Sequence, residues 1–178
     1  MNNTFRHILV VLVPLIFSNV IHMIIVKRNF LNAFNLPLSV KLFGENKTWR
    51  GFIFVPVLNG MILVLLNAVL RFDIQYPALL GFILGLAYMV FELPNSFLKR
   101  KLGLPAGQGG IKPGEQHNRM KFLFSVMDKT DSSFGVALTY FLLGYIGLRF
   151  AICLFLINAF THALLSQLLV VLGIKKNF

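Results

Sequence analysis

The sequence predicts an all-α integral membrane protein with about five transmembrane helices. Of its 178 residues, 57% are apolar and 13% are charged, against about 45–50% and about 25% in an average soluble domain. Apolar runs long enough to cross the roughly 30 Å hydrocarbon layer as helices recur along the chain. The same composition excludes a water-soluble globular domain and an intrinsically disordered chain. We expect residues 1–178 to form a single membrane domain.

Four apolar runs are clear, at 7–26, 51–70, about 75–93 and 150–172. A fifth run, at 122–148, is longer than one span requires, so its first turns are expected at the membrane interface. The first run is too long for the apolar region of a signal peptide, and no A-x-A-like cleavage site follows it. We therefore expect it to be retained as a span.

The positive charges predict the orientation of these spans. The chain holds 17 Lys and Arg against six acids, a net charge of +11, and all the cations except Arg6, Arg71 and Arg149 fall on one side of the five predicted spans. The positive-inside rule places the N-terminus outside, the C-terminus in the cytoplasm, and two long loops, 27–50 and 94–121, in the cytoplasm. The expected site is thus on the cytoplasmic face of the cytoplasmic membrane. Its expected partners are lipid headgroups or nucleotide phosphates rather than nucleic acid.

A first motif, F-G-E-N-K-T-W-R-G at 43–51, precedes the second span. Lys47 and Arg50 stand three residues apart at a helix start, and with the Thr48 hydroxyl and backbone N–H groups they are suited to bind an anion. Alternatively, both cations extend to the membrane surface and Trp49 is an interfacial anchor. The residues alone leave both interpretations open.

A second motif closes the third span, where Glu92 is followed by Lys99, Arg100 and Lys101. A carboxylate at the end of an apolar span generally has a partner or a function. The three cations are either determinants of topology or ligands for phosphate.

A third motif contains Asp128 and Asp131, which face the same way on a helix. Two carboxylates so placed repel each other unless a cation joins them, and oxygen ligands of this kind suit Mg²⁺. The alternative is that Asp131, Ser132 and Ser133 cap the next helix. The glycine-rich segment 103–114 lacks the P-loop pattern and is expected to be a flexible connector or a lid.

Together the three motifs resemble the CDP-archaeol synthase family of membrane CTP-transferases and, more distantly, the phosphatidate cytidylyltransferases. The family's N-K-T-W-R-G is matched at 46–51, its S-F-x-K-R-x-L-G at 96–103 after the acidic Glu92, and its D-x-x-D by Asp128 and Asp131. This chain departs from the family in having Phe-Glu at 91–92 in place of Gly-Asp. It also lacks the P-x-H-G-G of the phosphatidate enzymes.

The resemblance implies a transferase of phospholipid biosynthesis that moves CMP from CTP onto a membrane lipid phosphate and releases pyrophosphate, with Mg²⁺ as cofactor. It leaves open whether the acceptor is a phosphatidate-like lipid, an archaeal ether lipid or a polyprenyl phosphate, and it leaves the oligomeric state open. The implied CTP-binding residues are Asn46, Lys47, Thr48, Arg50, Ser96, Lys99 and Arg100; the catalytic residues are Lys47, Arg50, Lys99, Arg100, Asp128 and Asp131; the metal ligands are Asp128, Asp131 and Glu92.

Two alternatives stay open beside this one. A CTP-dependent kinase acting on polyprenol or dolichol would use similar phosphate-binding residues but transfer the γ-phosphoryl group. A small transporter or non-catalytic membrane subunit would be expected to place functional acids near the bilayer midplane. The spans 51–70, 75–93 and 150–172 carry no charge in their centres, which counts against that class. Asn19 and His22, the polar residues of the first span, are expected to contact another helix.

Overall fold

The computed structural model describes residues 3–103 and 115–174 and confirms an all-α fold, with no strand in those ranges. Most of the glycine-rich segment, with Lys112, lies outside the described residues, as do Lys175, Lys176 and the side chains of Arg119, Lys121 and Lys129. The helices are α1 (Asn3–Lys27), α2 (Val40–Phe43), α3 (Trp49–Leu70), α4 (Pro77–Lys101), α5 (Glu115–Leu142) and α6 (Leu148–Val171), and a 3₁₀ turn spans Asn32–Phe34.

Four of these helices, α1, α3, α4 and α6, are long and apolar enough to cross a membrane. They overlap four of the predicted spans and give the chain the character of a multi-pass membrane protein. Helix α4 continues to Lys101, so the loop predicted at 94–121 is helical at its start. Within the described ranges, α5 is not one of them. Its middle carries Asp128, Lys129 and Asp131, and charges of this kind are costly in hydrocarbon. The helix begins at Glu115, seven residues before the predicted start at Phe122.

The five long helices form a ring in chain order. Each packs against the next along the chain, and α6 returns to contact α1. Each of these five helices contributes a fully buried side chain to the common core, namely Val11, Leu63, Leu84, Val136 and Leu154. The outer faces expose large apolar side chains instead, as a bundle surrounded by lipid requires.

Small residues bring α3 and α4 into close contact. A Cβ added at Gly81 would lie 2.7 Å from the backbone oxygen of Asn59, and one added at Gly85 would lie 2.7 Å from the Cα of Pro56. The Asn59 side-chain amide also donates to the Gly81 carbonyl at 2.6 Å. Such contacts are typical of helix packing in membranes. These close contacts determine the position of the first turn of α3 relative to the last turns of α4.

The bundle has two distinct ends. At the end we call the His7 end, His7 of α1 is hydrogen-bonded to Tyr140 of α5 at 2.7 Å. Tyr140 stacks on Tyr145, in the α5–α6 connection, with ring centroids 4.9 Å apart. Arg6 lies over the ring of Phe72, in the α3–α4 connection, at 5.7 Å. The α3–α4 connection therefore meets the start of α1 directly, and the α5–α6 connection meets it through Tyr140. The long α1–α3 connection lies at the opposite end, which we call the Lys47 end.

Candidate active site

Side chains from all three sequence motifs meet at the Lys47 end. Lys47, which precedes α3, forms an ion pair with Glu92 of α4. Lys99, two turns further along α4, forms an ion pair with Asp128 of α5. The first motif is thus joined to the second, and the second to the third. We refer below to Lys47, Glu92, Asn95, Lys99, Asp128 and Asp131 as the acid–lysine cluster.

Backbone hydrogen bonds position Lys47. Helix α2 ends at Phe43 and is followed by its C-cap Gly44, whose φ of 82° suits glycine. The chain then runs antiparallel to residues 36–38. The Leu38 N–H donates to the Lys47 carbonyl at 2.8 Å, and the Trp49 N–H donates to the Leu36 carbonyl at 3.0 Å. Lys47 is therefore held just before the first turn of α3.

The pair of Lys47 and Glu92 is shielded from solvent, with 19% and 17% of the two side chains exposed. Burial alone would lower the pKa of the Lys47 ammonium, but the adjacent Glu92 carboxylate, aided by Asp131 and Asp128, raises that pKa above its ordinary value. Lys47 therefore carries its charge at neutral pH, surrounded by three acids.

Arg50 does not share a binding partner with Lys47 in this arrangement. Helix α3 begins at Trp49 with Thr48 as its N-cap, so Lys47 lies outside the helix and Arg50 inside it. Arg50 is 4% exposed, and its Nη1 donates to the Phe30 carbonyl at 3.1 Å. Its Nε has no hydrogen-bond partner in the described part of the chain. Trp49 is 50% exposed, in keeping with an interfacial anchor.

The polar residues of the first motif take different positions. Asn46 is exposed, and Thr48 is half-buried. The Thr48 hydroxyl makes no capping hydrogen bond within the described residues. The structure thus places Asn46 and Thr48 beside Lys47 along the chain but brings neither side chain into the ion pairs.

One face of α4 presents Glu92, Asn95, Ser96 and Lys99, because residues three, four and seven apart align on a helix. The Ser96 hydroxyl donates to the Glu92 carbonyl at 3.0 Å. Arg100, one residue further on, is half-buried, and its Nε lacks a hydrogen-bond partner among the residues described.

Sequence reasoning missed Asn95 as a site residue. It is 1% exposed, and its Nδ2 donates to Asp128 Oδ1 at 2.6 Å. Its spacing, three residues after Glu92 and four before Lys99, was the signal that could have revealed it.

Asp128 and Asp131 lie well inside α5, which begins at Glu115. The interpretation of Asp131, Ser132 and Ser133 as a helix cap is therefore wrong. Asp128 has a half-exposed side chain, whereas Asp131 is more buried and its Oδ1 accepts the Ser132 N–H at 2.6 Å. Asp131 also interacts electrostatically with Glu92 and Lys47. The carboxylates of α4 and α5 thus interact with the positive charges of Lys47 and Lys99.

The donor set bears on the predicted Mg²⁺ site. Among the residues that the structure describes, no three His, Cys, Asp or Glu side chains come together as a metal-binding group. Mg²⁺ does not need three, because it takes one or two carboxylates together with substrate phosphates and waters. Asp128 and Asp131, on one face of α5, fit that requirement. Glu92 pairs with Lys47, and its ligation of a metal stays a prediction.

A polar layer in the bundle interior lies one helical turn from Glu92. The Asn19 amide of α1 donates to the Tyr88 hydroxyl of α4 at 2.8 Å, and that hydroxyl is 2.8 Å from Nε2 of His162 on α6. The His22 ring lies beside α3, 3.5 Å from where a Cβ on Gly51 would stand. The expectation that Asn19 and His22 contact other helices is confirmed.

Comparison with curated proteins agrees with these motifs. The chain is 36% identical to the CDP-archaeol synthase of Pyrococcus furiosus over 76 residues, which are 40% of this chain and 44% of that relative. It is 31% identical to the CDP-archaeol synthase of Thermococcus gammatolerans over 90 residues, which are 49% of this chain and 50% of that relative. The chain is similar to CDP-archaeol synthases.

The similarity to CDP-archaeol synthases confirms the resemblance drawn from the motifs, and it gives no support to the kinase or transporter alternatives. A third such enzyme, from Pyrococcus abyssi, is 36% identical over 74 residues. The matches span about half the length of these relatives. No family model matches the chain. No solved structure matches it either.

Proposed function

We propose that this chain is a membrane cytidylyltransferase that moves CMP from CTP onto a lipid phosphate and releases pyrophosphate. The observation that carries the proposal is the meeting of Lys47, Glu92, Lys99 and Asp128 at one end of the bundle. The similarity to CDP-archaeol synthases supports the same reaction. From the names of those relatives, the acceptor we propose is the phosphate of an archaeal ether lipid.

In this reaction a phosphate oxygen of the lipid attacks the α-phosphorus of CTP. A new P–O bond forms, the bond from the α-phosphorus to the bridging oxygen breaks, and pyrophosphate leaves with the electron pair. The attacking phosphate is ionised at neutral pH, so the enzyme does not need a general base. Charge concentrates on the leaving pyrophosphate, and fixed cations stabilise it. Lys47, Lys99, Arg50 and Arg100 supply that positive charge.

In the substrate complex, the charged side chains of the acid–lysine cluster would pair with charges of the substrate and its metal ion instead of with one another. The triphosphate offers anionic oxygens to Lys47 and Lys99, and a divalent cation offers positive charge to Asp128 and Asp131. Bound there, Mg²⁺ would neutralise and align the phosphates. Asn46, Thr48 and Ser96 stand next to these cations along the chain and supply neutral hydrogen-bonding groups for the phosphate oxygens.

The membrane arrangement we propose has five spans, with α5 as the fourth along the chain. The N-terminus is outside, and the Lys47 end faces the cytoplasm. Support comes from the charges, because Arg6, Arg71 and Arg149 belong to segments at the His7 end, whereas Lys27, Arg28 and Lys41 belong to the opposite connection. CTP then arrives from the cytoplasm and meets a lipid phosphate at headgroup level. The membrane is the cytoplasmic membrane.

The test is an incubation of purified protein with CTP labelled at the α-phosphorus, Mg²⁺ and a panel of acceptors. The panel contains an archaeal ether-lipid phosphate, phosphatidate, polyprenyl phosphate and the corresponding alcohols. We expect label in the lipid phase, with release of pyrophosphate and the ether-lipid phosphate as the best acceptor. A lipid kinase would leave the label in water as CDP and would use an alcohol. That result, or the absence of turnover, would overturn the proposal.

A conservative variant tests the acid pair in the same assay. In Asp131→Asn the amide oxygen still accepts the Ser132 N–H, so the protein should fold and insert, but the lost charge weakens cation binding. We expect transfer to fall at least about 100-fold, because loss of a residue that only orients a metal ligand already costs about 10- to 100-fold. The matched control is Asp73→Asn at the His7 end, where asparagine tolerates the φ of 53°. Equal activity of both variants would contradict the metal assignment.

A further inference from the structure

Asn95 occupies an unusual place in the acid–lysine cluster. It is 1% exposed, and its Nδ2 donates to Asp128 Oδ1 at 2.6 Å. The other oxygen of Asp128 pairs with Lys99. Each carboxylate oxygen thus has a donor from α4, one neutral and one charged. Asn95 and Lys99 together fix the orientation of Asp128 relative to α4.

This contact also determines which way the Asn95 amide points. An ionised carboxylate only accepts hydrogen bonds, so the NH₂ group must face Asp128 and the amide oxygen must face away from it. That oxygen, Oδ1, is buried and has no hydrogen-bond partner among the side chains that the structure describes. A buried acceptor without a donor is costly and uncommon in proteins. It indicates a ligand that brings a donor to this position.

We infer that Asn95 is a positioning residue for a divalent cation held by Asp128, an inference that rests on the proposed function. Its NH₂ group orients the carboxylate that binds the cation. Its Oδ1 accepts a hydrogen bond from a water in the hydration shell of that cation. Mg²⁺ retains several waters when bound to protein, and these waters are donors. One amide therefore serves both the ligand and the hydration shell, and the buried oxygen gains a partner.

The experiment measures the binding of Mn²⁺ alone to the full chain in detergent, by the loss of the free-ion electron paramagnetic resonance signal. The variant is Asn95→Leu, which keeps the side-chain size and removes both polar atoms. We expect its Mn²⁺ affinity to fall about 10- to 100-fold, the range for residues that orient metal ligands. Its melting temperature without metal should stay close to that of the wild type. The matched control, Asn158→Leu, replaces a buried asparagine of α6, a helix without site residues, and should bind Mn²⁺ like the wild type.

The outcomes separate the two proposals. If the wild type binds Mn²⁺ and Asn95→Leu binds it equally well, this inference alone is wrong. If the wild type binds no Mn²⁺, the Mg²⁺ site of the proposed function fails and the inference fails with it. Unchanged Mn²⁺ affinity with a reduced preference for CTP over UTP would assign Asn95 to the cytosine amino group instead.

A second variant covers the case in which Asn95→Leu does not fold. Asn95→Asp places two carboxylates in contact, and a divalent cation relieves their repulsion. We expect Mn²⁺ to raise its melting temperature more than it raises that of the wild type. An equal or smaller rise would overturn the inference.

Discussion

At the scale of single residues, the candidate site is a set of ionic contacts between different parts of the chain. Lys47 and Lys99 each neutralise a carboxylate from another part of the chain, and Asn95 adds a neutral donor. Removing one partner of a buried ion pair is strongly destabilising, because the remaining charge is left without compensation. In the proposed reaction, a phosphate and a divalent cation would each replace one partner of these ion pairs and keep the charges balanced.

Lys47→Ala tests the phosphate-binding role. A charge-assisted contact contributes about 1.5–3 kcal/mol, so we expect CTP use, measured as kcat/KM, to fall about 10- to 100-fold. Lys41→Ala, in exposed α2 of the same connection, should leave it unchanged. The double variant Lys47→Ala/Glu92→Gln identifies the cause of the loss. Full recovery in the double variant would mean that Lys47 only neutralises Glu92, contrary to the proposal.

At the scale of elements, the α3–α4 contact sets the geometry of the site. Lys47 directly precedes α3, and its partner Glu92 lies near the end of α4, so their distance depends on how these two helices cross. Glycines at the crossing leave no room for a side chain. The position of the lysine is thus determined partly by residues deep in the bundle that carry no polar group.

Gly85→Ala tests this dependence. The added Cβ would meet the Cα of Pro56 at 2.7 Å, and backbone cannot rotate away. We expect the stability to fall by about 1–3 kcal/mol, as for an overpacked core, with a lower melting temperature in detergent and reduced transfer activity. Gly147→Ala is the matched control, because a Cβ there meets nothing within 4 Å. Equal melting temperatures for the two variants would contradict this account of the contact.

The sequence predicts the elements better than their contacts. Hydropathy places α1, α3 and α6 within a few residues, because apolar length is what the membrane requires. It ends the third span at 93, whereas α4 continues to Lys101, because the last turns of that helix are polar and charged. Hydropathy does not predict the start of α5 at Glu115, since the first turns of that helix are polar. Because successive spans cross the membrane in opposite directions, the sequence predicts that the three motifs lie at the same end of the bundle. The pairs Lys47–Glu92 and Asn95–Asp128 depend on the rotation of each helix about its axis, which a single sequence does not specify.

At the scale of the whole molecule, the bundle separates two kinds of surface. The His7 end is closed by short connections and aromatic contacts, whereas the Lys47 end carries the long α1–α3 connection and the paired charges. Such a difference between the two ends suits the proposed reaction, in which one substrate is dissolved in water and the other lies in a bilayer.

Labelling of introduced cysteines tests the proposed orientation. In a Cys153→Ser background, Gln75→Cys reports on the α3–α4 connection and Glu45→Cys on the α1–α3 connection; both positions are exposed. On intact cells, a membrane-impermeant maleimide should label position 75 and not position 45, and inverted vesicles should show the reverse. Labelling of both positions from the same side would contradict the five-span arrangement.

The hydrogen bonds that hold Lys47 in front of α3 join main-chain atoms of residues 36–38 and 47–49. Main-chain hydrogen bonds do not depend on the identity of the side chains, so this turn can be conserved in structure while its residues change. We expect Leu36 and Leu38 to be replaced by other residues in homologues. A deletion between them and Lys47 would shift the register of these hydrogen bonds, and we expect selection against it. Comparison of diverged homologues should therefore reveal a fixed spacing here, across positions whose residues vary.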